Sequence, residues 1–265
     1  MPPLSVVIIG YNEEKNIGAC IDAVRHFADE VILLDSFSTD ATLAIARSHG
    51  ALIRQSYFHD YISQKKKAIQ FASHEHVLLL DADEIVDEIL AAAICEQKAA
   101  GFPHKAYSMN RCSIFCGRYI RRGLWYPDKK LRLFDRRAVS CGGLNPHDRI
   151  CVHSNEKPFH LSGELIHHAF ETVAEYHTRN RVVSYTAARS IFEAGVRKHW
   201  SKIVVSPLWA FLNGYLFRLG FLDGKAGWII AVNTARQSFW KYRCLRQLQR
   251  ADQPNKISLL YKPAH

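Results

Sequence analysis

The sequence predicts an α/β fold: a mostly parallel sheet with helices on both faces, followed by a helical, basic and aromatic-rich C-terminal region. Three observations predict it. Over the first ninety residues, apolar runs rich in Val, Ile and Leu alternate with amphipathic helical stretches, the pattern of βαβ units. Acidic residues close several of those runs, as in Leu34-Asp35 and Leu80-Asp81-Ala82-Asp83-Glu84. Charge is also unevenly divided. From Tyr176 to His265 there are 15 Lys and Arg against Glu193, Asp223 and Asp252, a balance of +12, which leaves about −2 for the first 175 residues.

Leu4 to Gly10 reads as the first strand, and Glu13 to His26 as a helix with Ile17, Ile21 and Val24 on one side. Val31 to Asp35 is a second strand, after which Ser38 or Thr39 caps a helix running to about Ser48. Ala51 to Ile53 is a short strand, Gln64 to Ala72 a helix with its Lys65-Lys66-Lys67 run on the surface, and Val77 to Leu80 the next strand. Right-handed crossovers bring such strands into one sheet. Ligands of open α/β sheets bind outside the carboxyl ends of the strands, so Tyr11, Glu13, Asp35, Asp81 and Asp83 are expected along one rim. Three carboxylates within the four residues Asp81 to Glu84 suit a hard cation, Mg²⁺ or Mn²⁺, held together with a substrate's phosphates.

Composition narrows the class. A 48% hydrophobic share excludes a disordered chain, and seven cysteines without C-x-x-C spacing argue against a disulfide framework or a structural zinc site. Met1-Pro2-Pro3-Leu4 carries no basic segment ahead of an apolar stretch, so no secretory signal is expected there.

Taken in order, Ile9-Gly10-Tyr11-Asn12-Glu13-Glu14, Leu34-Asp35-Ser36-Phe37-Ser38-Thr39-Asp40 and Leu80-Asp81-Ala82-Asp83-Glu84 resemble the nucleotide-sugar-binding half of glycosyltransferase family 2, which has the Rossmann-like GT-A fold. The resemblance implies that Tyr11 and Glu13 contact the nucleoside, that Asp35 accepts from the base, that Asp81 serves the ribose and that Asp83 binds the metal. Phe37 stands where many members have Gly. Each residue also has a plainer role: Asn12 as a helix cap, Glu13 as a first-turn acid, and Asp40 as a charge favouring a helix N-terminus.

Tyr126-Pro127-Asp128 and the later pair His147-Asp148 resemble the lipopolysaccharide-core branch of that family, whose pair is His-Glu. An inverting transfer needs a carboxylate to take the acceptor's proton. Asp148 is nominated for this, with Asp128 second and also readable as a turn residue after Pro127. Lys129, Lys130 and Arg132 are candidates to clamp a phosphate. His167-His168 reads as packing or hydrogen bonding rather than metal ligation.

Ile203 to Leu222 approaches the length of a membrane span but contains Pro207, Asn213 and Arg218. With basic and aromatic flanks it reads instead as helices lying at an anionic membrane surface. The expected organisation is residues 1–175 as catalytic domain, with a donor half 1–90 and an acceptor half 91–175, and residues 176–265 as a helical membrane-surface region. The expected protein is a metal-dependent inverting hexosyltransferase, peripheral on the cytoplasmic face of the bacterial inner membrane. Its donor would be a UDP-sugar and its acceptor a lipid-linked saccharide, with no nucleic-acid partner. Alternatives are a polyprenyl phosphate or peptide acceptor or, in another class, a non-enzymatic basic adaptor for membrane or nucleic acid.

Overall fold

A computed structural model describes residues 1–144, 147–154, 156–196 and 200–251, with backbone alone at 144, 147, 148 and 251. The chain divides into two compact units: Met1–Tyr119, Trp125–Gly143 and Asp148–Ala169 in the first, and Ile120–Leu124, Leu144–His147 and Phe170–His265 in the second.

The first unit opens with β1 (Leu4–Gly10), α1 (Ile17–Val24), β2 (Glu30–Asp35), α2 (Thr42–Ser48), β3 (Leu52–Gln55), α3 (Tyr61–Phe71) and β4 (His76–Asp81). It continues with β5 (Glu84–Val86), α4 (Glu88–Ala99), β6 (Ala106–Phe115), β7 (Arg118–Tyr119), β8 (Asp128–Asp135), β9 (Val139–Leu144), β10 (His147–Val152) and β11 (Phe159–Phe170). The main sheet runs β3-β2-β1-β4-β8-β6-β11-β5 with β7 on the edge of β6, while β9 and β10 pair separately.

Strand β1 is apolar on both sides because both are covered. Leu4, Val6 and Ile8 join α1, α2 and α4 in one layer through Ile21, Ala46 and Ile94. Val7 and Ile9 turn the other way, toward Ala68 and Ala72 beside α3. Each such fully buried aliphatic side chain contributes about 1.5–3 kcal/mol, so the central strands anchor everything attached to their ends.

The expected mostly parallel sheet is corrected to a mixed one. Strands β3, β2, β1 and β4 are mutually parallel, but β4–β8, β8–β6 and β11–β5 are antiparallel. Helical crossovers end with α4, and the strands after it lack the intervening helices that parallel neighbours require. Boundaries shift for local reasons. Helix α1 begins at Ile17 rather than Glu13, since the Glu13 carbonyl accepts from Asn16 and Ile17 in the turn before it. Helix α3 starts earlier than Gln64, at Tyr61, because the Asp60 side chain caps it by accepting from Ser63 N at 2.8 Å.

Asp87 caps α4 and ties it to β11: its carboxylate accepts from Leu90 N at 2.7 Å and from Glu164 N at 3.0 Å. Gly163 lies beside this cap at φ +87°, where an added Cβ would sit 2.2 Å from Leu90 N. Only glycine fits there.

The second unit contains α5 (Val173–Glu193), α6 (Lys202–Leu212) and α7 (Gly224–Ala251). Ala188 of α5 packs with Leu245 and Leu248 of α7. Helix α6 passes into a π-helical turn, Asn213–Phe217, and a 3₁₀ turn, Gly220–Asp223, before α7. The axes on either side of that break meet at 73°. At the crossing, a Cβ on Gly227 would fall 1.8 Å from the Gly220 carbonyl oxygen, so backbone meets backbone. Among the described residues no single helix is long and apolar enough to cross a membrane, although this bent pair passes on length and composition together.

Candidate active site

The parallel register aligns three strand ends: Gly10 pairs with Asp35, and Ile9 with Asp81. The loops beyond β1 and β2 are stitched to each other. Asn12, at φ +54°, donates from its backbone N to Ser38 Oγ at 2.8 Å and accepts on Oδ1 from Thr39 N at 2.8 Å. Glu13 N donates to Thr42 Oγ1 at 2.8 Å, and the Glu13 carboxylate accepts from Asn16 Nδ2 at 2.8 Å. Asp40 accepts from Thr42 N at 3.0 Å and Glu14 N at 3.1 Å. Beneath this loop Asp35 is fully buried. Its Oδ2 accepts from Ser38 N at 2.9 Å and Gln55 Nε2 at 3.1 Å, and its Oδ1 from the Ser38 hydroxyl. Tyr11 is exposed at the rim.

Phe37 takes φ +65°, a conformation that suits Gly. Its ring turns outward and stacks on Tyr57, with centroids 4.3 Å apart.

Beyond β4 the site is a ladder of alternating charges. Lys65 Nζ lies 3.4 Å from Asp81 Oδ1, and Arg132 Nη2 donates to Asp81 Oδ2 at 2.6 Å and to Glu84 Oε1 at 2.7 Å. Arg111 donates to the same Glu84 oxygen at 3.1 Å and to Asp128 Oδ2 through Nε at 3.0 Å and Nη2 at 2.8 Å. Lys130 Nζ closes the row 3.1 Å from Asp128 Oδ1. Glu84 is fully buried, and its other oxygen accepts from Asp81 N at 3.1 Å. Burial alone would raise the Asp81 pKa, but Arg132, Lys65, Arg111 and His167 outweigh it and hold the carboxyl well below the usual range. Asp128 behaves likewise: burial opposes ionisation, and Arg111 and Lys130 restore it and lower the pKa.

These contacts revise several sequence expectations. Lys65 is buried rather than on the surface. Lys130 and Arg132 are engaged with carboxylates. Asp128 has cations on both oxygens and a lowered pKa, whereas a general base works best with a pKa near the working pH. Asp148 falls in β10, but its side chain lies outside the described residues.

Asp83 points elsewhere. Its carbonyl accepts from His168 N at 3.0 Å, and its Oδ2 lies 3.4 Å from His167 Nε2. The other ring nitrogen of His167, Nδ1, is 3.0 Å from Ser113 Oγ. A hydroxyl at Nδ1 can fix the ring so that Nε2 presents a lone pair, a common arrangement behind a metal-ligating His. Among the described residues no group of three or more His, Cys, Asp or Glu forms a metal cage. Asp83 and His167 are the pair placed to hold a divalent ion, whose remaining positions would fall to phosphate and water. The sequence reads His167 as packing or hydrogen bonding, and its contact with Ser113 is of the second kind. Its signal is the β11–β5 register, which pairs His167 with Glu84.

These features define a protein of the mixed, Rossmann-like α/β class with a carboxylate-rich rim at the strand ends. The chain belongs to glycosyl transferase family 2, whose family model matches residues 5–144. An uncharacterized glycosyltransferase of Rickettsia typhi is 25% identical over 94% of this chain and 88% of its own. The lipopolysaccharide core biosynthesis glycosyltransferase LpsC of Rhizobium meliloti is 27% identical over 91% of this chain and 93% of its own. Glucosyl-3-phosphoglycerate synthase from Mycobacterium tuberculosis, solved with Mn²⁺, UDP and glucosyl-3-phosphoglycerate, overlaps 41% of this chain and 43% of its own at 23% identity. With a TM-score of 0.36, the two chains share too little superposable structure for residue roles to be carried across.

Proposed function

We propose that this transferase moves a hexose, glucose first among the candidates, from a UDP-sugar to a saccharide of the lipopolysaccharide core, with inversion and with Mg²⁺ or Mn²⁺ bound. The observation that carries the reading is the meeting of Asp83 with a Ser113-buttressed His167 at the rim where Gly10, Asp35 and Asp81 align. The core saccharide as acceptor rests on the near full-length similarity to LpsC.

In this reading Tyr11, Glu13 and the loop over Asp35 receive the nucleoside, and Asp81, fixed by Lys65 and Arg132, takes the ribose side. Asp83 and His167 would hold the metal, which when bound offsets the negative charge that develops on the diphosphate. A carboxylate, assigned to Asp148, takes the proton from the acceptor hydroxyl as its oxygen attacks the anomeric carbon. The bond to the diphosphate breaks, and the electron pair leaves with UDP. Asp128 then serves as scaffold, holding Arg111 against Glu84.

Calorimetric titration of the purified protein with UDP-glucose, UDP-galactose and GDP-mannose, with Mn²⁺ and then with EDTA, tests the donor half. Metal-dependent binding of one UDP-sugar is the expected result; a folded sample that binds no nucleotide removes the reading. Asp148→Asn is expected to keep donor binding and lose transfer. Loss of UDP binding in that variant would move the base elsewhere.

A further inference from the structure

We propose that residues 200–228 of the second unit form a docking face that settles into one leaflet of an anionic bilayer, lying in it rather than crossing it. The inference stands apart from the donor chemistry and rests on this segment alone.

Helix α6 is inverted relative to a water-facing helix. Its outward stripe, Val204, Val205, Leu208 and Trp209, follows i, i+1, i+4, i+5 spacing and is apolar throughout, with Trp209 58% exposed. A helix packed on a soluble core shows water its polar side instead. Phe217, 66% exposed, extends this face by packing its ring against Trp209 with centroids 5.8 Å apart, and Leu222 in the turn beyond is 58% exposed. A contiguous apolar surface of this kind marks an interaction site.

Charge identifies the occupant. From Ile203 to Phe217 there are 15 residues without a Lys, Arg, Asp or Glu, and Lys202 and Arg218 stand at the two ends. Lys225 follows the break, within a C-terminal segment whose balance is +12. Cations bordering an apolar face match anionic headgroups around an acyl interior. Trp200, Trp209 and Trp228 supply rings that favour the boundary between them. Length and shape set the depth. Spanning takes about 20 apolar residues in one helix; here the uncharged run is shorter, and the axis turns by 73° at its end.

The test is flotation of the full chain with vesicles of phosphatidylcholine alone and of an equal phosphatidylcholine–phosphatidylglycerol mixture, with tryptophan quenching by brominated lipid measured on the same samples. The expected result is flotation with the anionic mixture, quenching from the bilayer, and at least about a tenfold loss of apparent affinity in Leu208→Glu/Trp209→Glu. Both positions are exposed, so circular dichroism is expected to match the parent. The proposal is overturned by no flotation with either vesicle, by binding unchanged in the double variant, or by flotation without quenching. A lipid-free dimer abolished by the same substitutions would also overturn it, by giving the face to a second copy of the chain.

Discussion

The two halves of the large sheet hold their carboxylates by different means. On the parallel half, Asp35 and Asp40 are satisfied by backbone N–H groups, hydroxyls and an amide, all neutral donors. From β4, where the parallel half meets the antiparallel one, and beyond it, Asp81, Glu84 and Asp128 are held by Lys65, Arg111, Arg132 and Lys130, drawn from α3, β6 and β8. Hydrogen bonds from neutral donors to a carboxylate contribute about 1.5–3 kcal/mol each and can be lost singly. A buried charge deprived of its counter-ion is far costlier. The first half therefore resembles a set of separate clasps, and the second a structure whose parts depend on one another.

Four perturbations would break or sharpen that contrast. Arg132→Met removes the cation shared by Asp81 and the fully buried Glu84, and is expected to cost about 3–5 kcal/mol in urea unfolding; a loss under 1 kcal/mol would mean that the ladder is not a unit. Gly163→Ala forces a side chain into a positive-φ position against the α4 cap, with an expected loss of about 1–3 kcal/mol or more. Ser113→Ala is expected to leave unfolding nearly unchanged while weakening Mn²⁺ affinity about 10–100-fold by titration; equal losses in both would make Ser113 a packing residue. Smallest, Ser38→Ala on the parallel half removes one hydroxyl bond to the Asp35 carboxylate and should cost about 1.5 kcal/mol.

Acid provides a fifth comparison. Asp81 and Asp128 have pKa values lowered in the folded state, so the stability they contribute is fully present above their unfolded pKa near 4. It is lost as pH falls below that value toward the lowered folded pKa. Unfolding followed downward from about pH 5 is expected to show a steeper loss in the parent than in Arg132→Met.

The same contrast explains what could be read from the sequence. The strand ends Asp35 and Asp81 were legible because each directly follows its own apolar run, and Asp83 because it stands two residues beyond Asp81, so a local pattern locates all three. Helix α3 was placed but began too late, because Asp60, a cap rather than a member of the apolar pattern, sets its start. The ladder was not legible. Arg111 lies 27 residues from Glu84, and Arg132 lies 51 from Asp81; only the β8–β6 and β4–β8 registers bring them together. His167 was hidden for the same reason, since its partner Asp83 lies across the β11–β5 pairing rather than within a motif. The parallel character of the sheet was overstated because βαβ spacing is visible only where helices separate strands.

Through the break after α6, main chain touches main chain with no side chain between: a Cβ on Gly220 would lie 2.5 Å from the Gly214 carbonyl oxygen, and one on Gly227 1.8 Å from that of Gly220. Rotamers cannot alter that junction, so the angle between α6 and α7 is set when the chain folds. An apolar segment that was disordered in water would have to be ordered at the moment of contact, with an entropic cost to affinity. The face carried by this junction is preorganised, so its encounters with a surface are decided by approach and orientation rather than by folding on arrival.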